Sequence, residues 1–192
     1  YLQGGEEVQR SLRAFDQEWD NIQTGWQWAK LRAAIDNDAL ILCVEYPDAG
    51  RDVLHLRLPP RQWIELLDTM RTTAQQLKHT EAEGLALGNL GLAYAALDAT
   101  RRAIEFHEQA LKIAREIGDR RSEGNALGNL GNAYAALGET RRAIEFHEQS
   151  LKIAREIGDR RGEGNALGNL GNAYYSLGES RRAIEFHEHA LV

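Results

Sequence analysis

The chain repeats itself every 40 residues. Residues 80–119 match 120–159 at 32 of 40 positions, and residues 120–152 match 160–192 at 26 of 33. A period of this length marks a stacked array, because each unit is too small to bury its own apolar face and neighbours bury it jointly. Within one unit, Ala126, Leu127, Leu130, Ala133, Tyr134 and Leu137 share one helical face, and Ala143, Ile144, Phe146, Leu151, Ala154 and Ile157 share another. Gly138 suits a left-handed C-terminal cap, Thr140 an N-cap for the second helix, Gly158 its end, and Asp159 a cap for the next unit. The pattern predicts an all-α chain without strands, a solenoid of helix pairs.

A fainter copy lies upstream. Residues 61–78 align with 101–118, with Arg61, Ile64, Glu65 and Ala74 matching Arg101, Ile104, Glu105 and Ala114. Pro59 and Pro60 stand where that second helix begins, and proline is tolerated in a first turn. The segment before them predicts a degenerate first helix broken near Pro47. Residues 5–34 predict one or two amphipathic helices with Trp19, Trp26 and Trp28 in the core. The expected organisation is an N-terminal helical cap (1–36), a degenerate helix pair (37–79), and repeats at 80–119, 120–159 and 160–192, the last truncated. With no starting Met and an end inside the pattern, the sequence reads as a piece of a longer protein.

Composition excludes several functions. The net charge of -6 is spread without a block of like charge, which argues against nucleic acid. No apolar run reaches the roughly 18 residues of a membrane span. The single cysteine, Cys43, precludes an internal disulfide and fits a reducing, cytoplasmic setting; it reads as a buried structural thiol rather than a nucleophile. The opening "YLQGGEE" lacks the spacing of a phosphate loop and reads as a flexible start. No nucleophile–base pair, ligand cluster or carboxylate pair supports an enzyme, and no cofactor is expected.

The repeat resembles the tetratricopeptide repeat. The family pattern maps onto Leu127, Leu130, Gly131, Tyr134, Ala143 and His147, and onto the matching residues 40 positions either side. Leucine replaces the usual tryptophan, histidine the usual aromatic, and the late proline is missing. The 40-residue form is similar to that of Pins-type scaffolds and of the repeat tails of bacterial NB-ARC-class signalling ATPases, whose helical connector residues 1–78 resemble. The resemblance implies a right-handed superhelical solenoid of antiparallel helix pairs, and a non-catalytic protein-binding module whose first helices line a concave groove. Its ligand-facing positions map here to Asn125, Gly128, Asn129, Asn132, Ala135 and Ala136.

The first helix of the unit, "GNALGNLGNAYAALGE", is costly as a helix, since each interior glycine loses about 1 kcal/mol relative to alanine. The glycines and asparagines are placed by face. With Asn125 at zero, Asn129 falls at about 40° and Asn132 at about -20°, while Gly124, Gly128 and Gly131 cluster at about -100°, -60° and -120°. The glycine stripe suits close helix approach. The resemblance implies that Gly131 lies where the two helices of a unit pack, and Gly124 and Gly128 would serve the approach of adjacent repeats or leave room in the groove. Asparagine supplies both donor and acceptor, so its stripe can pair with the backbone of a partner peptide, or with asparagines of the next repeat. The predicted groove comprises Asn89, Asn125, Asn129, Asn132, Asn165, Asn169, Asn172, Leu85, Leu92, Ala136, Tyr175 and Ser176. Its greasy N-terminal end and aromatic C-terminal end would read a ligand directionally, although Leu85 and Leu92 are equally suited to contact the N-terminal helices.

Two further columns invite chemistry. His107, His147 and His187 suggest a metal, but stacked helices hold them about 10 Å apart, too far to share one ion; they read as packed, neutral core histidines. The pairs Arg101/Arg102, Arg141/Arg142 and Arg181/Arg182 read with Glu105, Glu145 and Glu185 as a solvated outer face with helix ion pairs, or as an anion site. Expected partners are a protein or peptide, or a second copy joined through the uncapped last repeat, and neither nucleic acid nor membrane.

Overall fold

The computed structural model describes residues 6–190, and the side chains of all of these except 6–8, 11, 48–53, 55 and 56. The expectations placed on Tyr1–Gly5 and on the last two residues therefore lie outside the described residues. Every regular element described is a helix. The chain divides into two compact units, Tyr1–Leu77 and Lys78–Val192.

The first unit contains α1 (Glu6–Arg32), α2 (Asn37–Arg57) and α3 (Pro60–Leu77). One helix, not two, occupies the stretch before residue 34. Asp36 caps α2 by accepting from the backbone N–H of Asp38 and Ala39. Pro47 does not break α2. It removes one backbone donor and costs about 3 kcal/mol in a helix interior, yet α2 runs on through it. The reason is burial: Pro47 is enclosed beside Ala39, Cys43 and Val44, and α2 packs against both α1 and α3. Tertiary packing of this kind supplies most helix stability. Trp26 meets Tyr46 edge-on at 6.4 Å between ring centroids, and Trp63 is buried. Trp28 corrects the expectation of a core tryptophan: it is 43% exposed, with the Arg32 guanidinium 5.6 Å from its ring.

The second unit is a series of hairpins: α4 (Thr80–Ala95) with α5 (Thr100–Ile117), α6 (Arg120–Ala136) with α7 (Thr140–Glu156), and α8 (Arg160–Ser176) with α9 (Ser180–Ala190). Each first helix ends in a left-handed residue. Gly138 has φ 76°, and in the first repeat Asp98 takes the corresponding place at 57°. Asp119 and Asp159 cap α6 and α8, accepting at 3.0 Å from the backbone N–H of Ser122 and Gly162. Thr140 is the first helical residue of α7 rather than its cap. Glu139 stands in the cap position without a side-chain bond.

Successive hairpins share cores. Ile104 and Leu111 of α5 pack with Leu127, Leu130 and Tyr134 of α6, and Ile144 and Leu151 of α7 pack with Leu167, Leu170 and Tyr174 of α8. Glu123, buried on α6, accepts from Arg115 of α5 at 2.9 Å and from Arg120, which also binds Glu156 of α7. Burial alone would raise the Glu123 pKa, but these guanidinium hydrogen bonds outweigh it and hold the carboxyl below the usual range. Arg155 to Glu163, at 2.8 Å, repeats the clasp one unit on.

Candidate interaction face

On α6 the glycine stripe faces inward, toward its own hairpin partner. A Cβ built on Gly131 would lie 2.5–2.7 Å from three ring atoms of His147, and Gly91 and Gly171 stand in the same relation to His107 and His187. Each imidazole lies flat against a helix backbone in a notch that only glycine leaves. Gly124 faces Ile153 at 3.2 Å and Gly128 faces Ser150 at 3.4 Å, both on α7. These two therefore serve contact within the repeat, not between repeats. Small residues let the two helices approach, and the apolar face is then free to meet the neighbouring unit.

His107 and His147 are buried, and the Nδ1 of each has no hydrogen-bond partner. Burial pushes both imidazoles down to about 4, so they are neutral at pH 7. His187 differs. It is exposed, since among the described residues no helix lies beyond α9.

The second arginine of each pair does not simply sit in solvent. Tyr134 stacks on Phe146 at 5.2 Å, and the Arg142 guanidinium lies 4.0 Å from the Tyr134 centroid while donating to its hydroxyl at 2.9 Å. Arg102 over Tyr94 and Arg182 over Tyr174 repeat the sandwich. The expected ion pairs with the glutamates that follow give way to pairs with those that precede: Arg142 meets Glu139 at 3.1 Å and Arg182 meets Glu179 at 3.0 Å. Sequence pattern missed this aromatic clamp, although Tyr134, Arg142 and Phe146 recur together at every period.

The asparagines face outward. Asn125, Asn132, Asn165 and Asn172 are exposed, and Asn89, Asn129 and Asn169 are half-buried. Neighbouring first helices touch, α4 with α6 and α6 with α8, so the stripe continues from one to the next. No side-chain amide of these seven forms a hydrogen bond within the described residues, and none pairs with an asparagine of another repeat; Ser176 bonds only the backbone carbonyl of Asn172, at 2.9 Å. The stripe carries no charge between Glu123 and Glu139 on α6, or between Glu163 and Glu179 on α8. Ala136 and Ser176 are exposed on the same helices. Tyr175 is 70% exposed and makes no ring contact or hydrogen bond among the described residues. At the first repeat, Leu92 is exposed and Leu85 half-buried.

The first unit holds a cavity of about 270 Å³ between its helices, lined by Trp19, Trp26, Tyr46 and Leu58 among others. The carboxylate at its edge, Glu65, is already paired with Lys30 at 2.7 Å. It offers no convergent set of reactive groups.

Helical hairpins notched by glycine, sharing cores from one to the next and presenting a polar face on their first helices, define a helical-repeat protein. The sequence profile of the tetratricopeptide repeat matches residues 83–156 and again 122–191. The chain belongs to the tetratricopeptide repeat family. Among solved structures it is similar to MamA, with a TM-score of 0.64 and 21% identity over 92% of this chain and 91% of that one. It is also similar to a putative kinesin light chain of Podospora anserina with nearly identical repeats (TM-score 0.57, 18% identity, 90% and 94% covered). A third is the tetratricopeptide domain of Arabidopsis FLU (TM-score 0.56, 23% identity, 58% and 94% covered). No curated protein matches the chain. Tetratricopeptide repeats are, as a class, protein-interaction modules.

Proposed function

We propose that the repeat unit is a non-catalytic binding module that holds a peptide or helix of a partner protein in the concave groove formed by α4, α6 and α8. Within a longer signalling protein it serves as a sensor or scaffold arm, in the cytoplasm. The observation that carries this is the unpartnered asparagine stripe. Exposed amides on a rigid scaffold, with no bond to each other, are available to a ligand, and each offers both donor and acceptor. Pairing with a partner's backbone gives affinity without demanding a particular side chain. Among the described residues no helix is long and apolar enough to cross a membrane.

Capture of a partner by the wild-type chain should be lost in an Asn125→Ala/Asn132→Ala/Asn165→Ala/Asn172→Ala variant whose helicity is unchanged. Each lost hydrogen bond is worth about 1 kcal/mol, so affinity for a bound segment should fall by about a hundred-fold or more. A partner held equally by both proteins would remove the groove reading.

A second reading has its own support. Ile104 and Ile144 are 8% and 9% exposed beneath the next repeat, whereas Ile184, on the last helix described, is 58% exposed. Such an end face suits stacking on a second copy. In that case sedimentation should show mass rising with concentration, and Ile184→Asp should return the chain to monomer. A wild-type chain that stays monomeric at high concentration would contradict it.

A further inference from the structure

We infer that the first unit carries a small-molecule site of its own, independent of the groove reading: the cleft between α1 and α3 takes an uncharged, two-ring heteroaromatic compound with a hydrogen-bond donor and acceptor on its edge. α1 and α3 each pack on α2, and the Lys30–Glu65 pair joins them at 2.7 Å. The space left between them is the cavity of about 270 Å³. An apolar cavity of about 150 Å³ holds benzene, so this one has room for two fused rings.

The lining is layered by polarity. Trp26, Leu54, Leu58 and Leu66 are buried and form an apolar floor, while Gln23, Gln27 and Gln62 are exposed and stand at the mouth. Gln23 and Gln27 lie one turn apart on α1 and so share a face, and Gln62 lines the same opening from the first turn of α3. None of the three side-chain amides forms a hydrogen bond among the described residues. An apolar pocket with a few convergent polar groups is the usual form of a small-molecule site. Tyr46 forms the wall on the α2 side. A Cβ on Gly25 would come within 2.3 Å of its hydroxyl, so a glycine in the interior of α1 lets the ring stand there, edge-on to Trp26. Half-buried Trp19 adds a further ring, and rings so placed suit a flat aromatic guest.

Charge narrows the class. Among the described residues no lysine or arginine lines the cleft to hold an anion, and the one carboxylate in the lining, Glu65, is already neutralised by Lys30. What remains open to a guest is amide, which both donates and accepts. An uncharged ring edge bearing an N–H beside a C=O matches it.

The test titrates the full chain, by calorimetry, with three compounds that share a two-ring frame: quinolin-2-one, its N-methyl derivative and 2-naphthoate. Quinolin-2-one should bind one site per chain with a Kd below about 1 mM. The N-methyl compound, which has lost the donor, should bind about ten-fold more weakly, and the anion should not saturate. Gln23→Leu/Gln27→Leu/Gln62→Leu should lower the affinity for quinolin-2-one to that of its N-methyl derivative, and Trp19→Ala should weaken it at least as much. Because the three glutamines are exposed, thermal melts of that variant should match the wild type. Failure of quinolin-2-one to saturate below about 1 mM overturns the inference. So does equal affinity for all three compounds, which marks non-specific partition into apolar surface, and so does an affinity unchanged in the glutamine variant.

Discussion

Gly131→Ala is expected to destabilise the repeat unit by about 2–3 kcal/mol, whereas Gly168→Ala, on an equivalent helix one repeat on, should stabilise it by about 1 kcal/mol. Both exchanges gain the same helix propensity. They differ in what the new methyl meets. At Gly131 it would lie 2.5 Å from the His147 ring, while at Gly168 nothing lies within 4 Å. His147 is buried, so its ring must leave a packed site to make room. Gly88→Ala, also with nothing within 4 Å, should follow Gly168→Ala in sign. Urea denaturation measures all three. A Gly131→Ala/His147→Ala double variant should lose less than the sum of its single variants, because the clash needs both partners. Equal effects at Gly131 and Gly168 would mean that the notch is not filled as described.

Acid is expected to weaken the fold in a window above that of ordinary carboxylates. His107 and His147 titrate at about 4 in the folded chain, against about 6.5 when unfolded. Between those values the unfolded chain binds more protons, so stability falls as pH falls. The contribution is complete above pH 6.5 and is lost as pH drops toward 4. At pH 5 each histidine should cost on the order of 2 kcal/mol relative to neutral pH, about 4 kcal/mol for the pair. The carboxyls of Glu123 and Asp119, both held below their usual range, lose their contribution only at lower pH. Denaturation midpoints at pH 7.5 and 5 should therefore differ strongly for the wild type and little for His107→Leu/His147→Leu. Leucine leaves no polar atom behind, and the Nδ1 it removes had no partner to lose. An unchanged pH dependence in that variant would refute the assignment.

The hairpins were legible because their periodicity is strong: Leu127, Leu130 and Tyr134 lie on the face that packs on α5, as the pattern of every third and fourth residue requires. Gly131 was legible through the resemblance, which puts it where the two helices of a unit meet; that His147 fills the notch was not. Gly124 and Gly128 were not. A helical wheel gives an angle but not which neighbour stands there, and the neighbour proved to be α7. Pro47 misled because local propensity says nothing of the burial on both sides of α2 that offsets it. The clasp of Arg115, Glu123, Arg120 and Glu156 was invisible for a related reason: it joins three helices, and charge spacing along one helix reports only pairs within it. The asparagine stripe was legible as a face. What the sequence left open was whether those amides bond each other, and in the structure they do not.

The most direct test of the groove is the side-chain amide spectrum of the full chain labelled at asparagine, followed by nuclear magnetic resonance as a captured partner segment is added. The amides of Asn125, Asn132, Asn165 and Asn172 should shift together and saturate at one affinity, with little change on α5, α7 and α9. Shifts confined to the second helices, with those four amides unmoved at saturation, would contradict binding at this face.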